Sequence, residues 1–149
     1  MDQNDFLWGL CKENLVYCRH HEQQREAVAR LILIVASILL GLVALDNSLT
    51  AFDIPFGFFM TLLGIFGAVF TNKHYERFDH HYERFRYLRG ELQSRLEVEV
   101  NAIQQMADQN TLARWPRLAQ MGPNRFWRGF HICISIIGVA IILGALLLK

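Results

Sequence analysis

The sequence predicts an all-α membrane protein: three transmembrane helices, a long cytoplasmic helix extending from the second span, and an N-terminal cytoplasmic helix. Three observations predict it. Segments Leu31–Leu45, Ile54–Phe70 and Phe130–Leu148 are almost free of charge and apolar on every side, whereas a helix half-buried in a soluble protein keeps a polar stripe toward water. The 15 Lys+Arg and 14 Asp+Glu all lie outside those segments. The phrase HYERF is written twice, at 74–78 and 81–85, just after the second segment.

With 149 residues, the chain reads as a single membrane domain, too small to shield three all-apolar helices from water. Residues 1–30 form the N-terminal cytoplasmic helix, 31–49 span 1, 54–71 span 2, 72–128 a cytoplasmic helical region and 129–148 span 3. Crossing a bilayer takes about 20 apolar residues. Span 3 meets that directly, span 2 sits at the lower limit, and span 1 reaches it with Arg30 snorkelling toward the headgroups. The first apolar run begins too late for a cleaved signal peptide and reads as a retained helix.

Taken in order, Asp2–Asp5 offers N-cap candidates for a helix over Phe6–Glu26 that runs on into span 1. Asp46, Asn47 and Ser48 are turn formers, and Pro55 suits the first turn of the next helix, so spans 1 and 2 form a tight hairpin. Gly57, Thr61, Gly64, Ala68 and Thr71 recur at steps of four and three, a small-residue stripe. In lipid such stripes drive helix association by close backbone approach. Gly57, Thr61, Gly64 and Ala68 are therefore expected at an interface between copies. Ser37 with Gly41 makes a weaker pair of the same kind, and Ser135, Gly138, Ile142 and Ala145 line one side of span 3.

No Pro or Gly separates Phe70 from Tyr75, so span 2 is expected to continue as one long helix that fades near Asp108. Along it Tyr75, Phe78, Tyr82, Phe85, Leu92, Leu96 and Ile103 return at three, four and seven residues. The repeat is one packing layer written twice. Its aromatic side needs a partner, because an isolated helix of this kind is barely stable. Tyr75, Phe78, Tyr82 and Phe85 are thus also placed at the interface, against the N-terminal helix or another subunit. Thr111–Met121 reads as a short surface-lying amphipathic helix, and Gly122-Pro123-Asn124 breaks and caps the chain before span 3. Arg114, Arg117, Arg125, Trp127 and Arg128 are the expected headgroup anchors, with anionic lipid the favoured contact.

Lys and Arg number four before span 1, none between spans 1 and 2, ten between spans 2 and 3, and one after span 3. The positive-inside rule then puts the N-terminus and the middle region in the cytoplasm and the C-terminus outside a cell inner membrane. The net charge of +1 argues against nucleic-acid binding, which needs a basic surplus. Cys11, Cys18 and Cys133 form no C-x-x-C pair and no expected disulfide. Glu76, His80 and Glu83 share a helix face, but four ligands at a diagnostic spacing are missing, and the heptad copy accounts for them. Hydrolase, nucleotide-binding and zinc-protease motifs are absent. The spans carry no central Asp, Glu, Lys or Arg of the kind ion carriers keep; only Ser37, Thr61 and Ser135 count there as polar. Neither an enzyme nor a cofactor is expected.

Residues 13–96 carry ENLVYCRHHEQQREAVARLILIVASILLGL, a short loop, a second span and NKHYERFDHHYERFRYLRGELQSRLE. This arrangement resembles the small bacterial RipA-like octameric membrane proteins and is similar to the SLATT two-span effectors, with Tyr17, Cys18, Arg19, Tyr87 and Arg89 as the aligned positions. The third span departs from the two-span pattern. The resemblance implies a bacterial homo-octamer, self being the partner. The function expected is a non-enzymatic homo-oligomeric inner-membrane scaffold or membrane-integrity protein; the alternative is a pore-forming or membrane-disrupting effector gated from the cytoplasm.

Overall fold

The computed structural model describes residues 2–45, 48–97, 101–116 and 122–147. Among them the chain is all helical: α1 (Gln3–Val43), a 3-10 turn (Ala51–Asp53), α2 (Ile54–Arg95), α3 (Asn101–Arg114) and α4 (Pro123–Leu147). Helices α1, α2 and α4 are long and apolar enough to cross a membrane. Only 22% to 28% of the residues in their apolar windows are buried, so most of that surface is left for lipid. The N-terminal helix and span 1 form one unbroken helix, as a Pro-free run of 41 residues permits. Among the expected features, Asp46, Asn47, Arg117, Leu118, Met121, Lys149 and the side chain of Ile103 lie outside the described residues.

The link from α1 to α2 is held locally. The Asp53 carboxylate is buried and accepts hydrogen bonds from the Thr50 backbone N–H (2.7 Å) and hydroxyl (3.1 Å). Pro55 then falls in the first turn of α2, where its missing N–H costs nothing. At its other end α2 stops sooner than its sequence suggests. Glu97 takes a left-handed conformation (φ 52°), and the chain restarts as α3. A non-glycine residue there costs roughly 1 kcal/mol; the observed break replaces the expected continuous helix to Asp108.

The chain divides into two compact units. Unit 1 is Met1–Glu22 with Tyr75–Pro123; unit 2 is Gln23–His74 with Asn124–Lys149. Both are built on one rule. Along α2 the inward positions are Gly57, Met60, Gly64, Gly67 and Thr71 in unit 2, and Phe78, His81, Phe85, Leu88 and Leu92 in unit 1, three or four apart within each unit. That is the a/d spacing of coiled coils. On α1 the same spacing turns in Leu7, Cys11, Asn14, Cys18 and His21 in unit 1, and Arg25, Ala29, Ile32, Ala36, Leu39 and Val43 in unit 2. On α4 it turns in Trp127, His131, Ile134, Gly138, Ile141 and Ala145. The core of unit 2 gathers Ile32, Ala36, Val43, Met60, Ile134 and Ile141 from all three helices.

Candidate functional site

The interface expected along α2 separates into two different contacts. In unit 2 the small residues are occupied by α4 of the same chain. A Cβ added at Gly64 would stand 2.6 Å from the His131 carbonyl oxygen and 2.6 Å from the Ser135 amide nitrogen; one at Gly57 would stand 2.8 Å from the Gly138 carbonyl oxygen. Those are backbone atoms, so the helices are packed as closely as glycine allows. Ser135 adds an interhelical hydrogen bond, its hydroxyl donating to the Thr61 carbonyl at 3.1 Å, and the Thr61 hydroxyl donates back to Gly57 O at 2.9 Å. The contact is rotated from the expected stripe: Met60 and Gly67 lie at its centre, with Thr61 and Ala68 only half-buried. Gly57 and Gly64 are thus covered from within the chain. Ser37 and Gly41, the weaker pair, stay exposed. A Cβ added at Gly41 would meet no other described residue within 4 Å, and the Ser37 hydroxyl donates back to Leu33 O at 2.8 Å.

His131 is the residue that sequence reasoning missed. It is 1% exposed, its ring stands over Gly67, and its buried Nδ1 meets no hydrogen-bond partner among the described residues. Counting only acids, Lys and Arg as ionisable hid it. The signal was there: 131, 138 and 145 are heptad copies on the inward face of α4.

In unit 1 the repeated phrase packs against α1 through two of the four expected rings, Phe78 and Phe85, with His81 between them. Tyr75 and Tyr82 are 36% and 41% exposed, while Phe78, His81 and Phe85 turn inward. The inward layer is therefore Phe and His, because the a/d steps of three and four pass through 78, 81 and 85. Along the flank of α2 the rings form a continuous ladder: Tyr75–Phe78 (centroids 6.3 Å), Phe78–Tyr82 (5.8 Å) and Tyr82–Phe85 (6.2 Å). The Arg89 guanidinium lies 6.0 Å over Phe85. Across the pair, the His81 ring stacks on Tyr17 (4.8 Å) and His21 (5.7 Å), and its Nδ1 is 3.1 Å from Asn14 Oδ1. An amide oxygen only accepts, so Nδ1 carries the hydrogen.

Beside this layer lie two buried thiols, Cys11 and Cys18, with Cys18 Sγ donating to the Phe78 carbonyl at 3.6 Å. Burial pushes both thiols up, with the charge of Arg89 partly opposing it at Cys11 and Glu22 adding to it at Cys18. They are packed, protonated side chains rather than nucleophiles. The His81 imidazole is pushed down, first by desolvation, then by the charges of His80, Arg84 and Arg77, against the pull of Glu13.

The described anchors belong to both units. Arg114 ends α3 in unit 1, while Arg125, Trp127 and Arg128 lie in the first turns of α4 in unit 2. The three arginines are exposed, Trp127 is half-buried, and Phe126 and Trp127 meet edge to face at 5.7 Å. Among the described residues, no group of three or more His, Cys, Asp or Glu is arranged to hold a metal, which leaves Glu76, His80 and Glu83 without a constellation. No family model, curated protein or solved structure matches the chain, so the functional reading rests on geometry.

Proposed function

We propose that the chain is a non-enzymatic, homo-oligomeric protein of the bacterial inner membrane, acting as a scaffold or in membrane integrity. The N-terminus and residues 72–128 face the cytoplasm and the C-terminus faces outside. Length supports the membrane placement. Helix α2 has 42 residues and so runs about 63 Å, twice the roughly 30 Å of hydrocarbon in a bilayer. Its charge-poor half, Ile54–Thr71, belongs in lipid, and its charged half belongs outside.

The observation that carries self-association is the half-exposed ring ladder on that charged half. Tyr75 and Tyr82 stand at heptad spacing on a water-facing helix, with Tyr87 beyond them 78% exposed. Tyrosine of this kind is favoured at interfaces because it covers much area with little rotamer entropy. In lipid, the Ser37–Gly41 face supplies the small-residue contact that the Gly57–Gly64 stripe no longer offers between copies.

Native mass measurement in gentle detergent tests the reading: a multiple of 17.3 kDa is expected, and a monomer at every concentration overturns it. Tyr82→Lys and Gly41→Leu should each lower the assembled mass while preserving helix content. If both leave the mass unchanged, these two surfaces are not the contact. A tag after Lys149 should be reached by external reagents in intact cells; a shielded tag overturns the topology.

A further inference from the structure

We propose that the Asn14–Tyr17–His21–His81 layer of unit 1 is an acid-sensitive latch, and that taking up a proton on His81 releases the pairing of α1 with α2 in that unit. In the closed pair Nδ1–H of His81 donates to Asn14 Oδ1, so Nε2 is the nitrogen that receives the added proton. The Asn14 hydrogen bond survives protonation. What changes is the charge of a ring stacked on His21 at 5.7 Å and edge-on to His80 at 5.7 Å, with His20 a further 5.9 Å from His21. Four imidazole rings thus form a connected set around the one that takes up the added charge.

The surrounding charges favour opening. On α2, Arg77 and Arg84 flank His81 one turn on either side and act against its cation, as does His80, while Glu13 on α1 acts in its favour. The other acids beside the set are Glu22 on α1, whose charge also acts on Cys18, and Glu76, Asp79 and Glu83 around His80 on α2. The sign follows. Burial and the arginines hold His81 below its ordinary range, so the opened pair binds the proton more readily than the closed one. Stability of the pair is complete above the ordinary imidazole range and declines as pH falls through it toward the closed-state value. This holds for each protomer whether or not it assembles.

The layer carries its own reporters. Cys11 and Cys18 are 0% and 4% exposed and lie on the seam that the latch closes. The test is site-resolved labelling of the full-length protein in lipid nanodiscs with dithiodipyridine, which reacts with thiols even in acid. Rates are divided by those of the unfolded chain at the same pH and read by mass spectrometry. Labelling of Cys18 should rise about fivefold between about pH 7.5 and about pH 5.5. His81→Phe keeps a stackable ring without the titration; it should keep Cys18 closed at neutral pH and remove the rise. Equal protection of wild-type Cys18 at both pH values overturns the proposal, as does a rise that persists in His81→Phe. Where His81→Phe is already open at neutral pH, His21→Phe decides: a diminished rise supports the latch and an undiminished one overturns it.

Discussion

The two units solve the same packing problem with opposite chemistry. Unit 2 fills its seam with Gly57, Gly64, Gly67, Gly138 and Ala145, small residues that bring backbones together. Unit 1 fills the equivalent positions with Cys11, Cys18, Phe78, His81 and Phe85. The proposed placement, with unit 2 in lipid and unit 1 outside it, explains the difference. In lipid an apolar side chain gains nothing by leaving its surroundings, so close van der Waals contact and an occasional hydrogen bond such as Ser135 to Thr61 must do the joining. Outside lipid, large rings gain by leaving water. Polar members such as Asn14 and His81 are tolerated because they bond to each other. The spacing is common to both; the filling reports the medium.

The strongest way to break this comparison is Gly64→Leu. The new side chain meets α4 backbone that cannot yield, and the expected loss is about 3 kcal/mol of protomer stability, read by unfolding in mixed micelles. A variant as stable as wild type would show that α2 and α4 are not closely packed there. Phe78→Ala is the matching insult to unit 1. It should cost about 2 kcal/mol, less than a fully buried Phe, and speed Cys18 labelling while hydrogen exchange in unit 2 stays slow. Uniform loosening of both units would erase the distinction between them.

Smaller changes sharpen it. Asp53→Ala removes the acceptor from Thr50 and should cost about 1 kcal/mol, with the change in hydrogen exchange confined to residues near the α1–α2 link. Glu97→Gly relieves the left-handed residue after α2 and should stabilise unit 1 by about 0.5 kcal/mol, visible as a higher unfolding midpoint. Glu91→Gln removes the exposed ion pair with Arg95, 2.8 Å long, and should change stability by less than about 0.5 kcal/mol. A larger loss there would mean that the pair is covered in the assembly.

Much of this was legible along the chain. Apolar runs without a polar stripe identify α1, α2 and α4 as membrane-length helices, since only lipid leaves such a surface undisturbed. Heptad spacing marks 78 and 85 as packing positions, and Pro55 and Pro123 mark helix starts. What sequence could not decide is direction. A stripe of small residues says that something comes close, not whether it is another copy or the chain's own third helix; only the packing of α4 on Gly57 and Gly64 decides that. Nor does a repeat say which of its rings turns inward, because Tyr75 and Phe78 lie only three residues apart and a small rotation of α2 exchanges them. The inward place of His131 and the pairing of His81 with Asn14, Tyr17 and His21 arise between helices distant in sequence. Local pattern determines where a helix can pack, and tertiary structure alone determines against what.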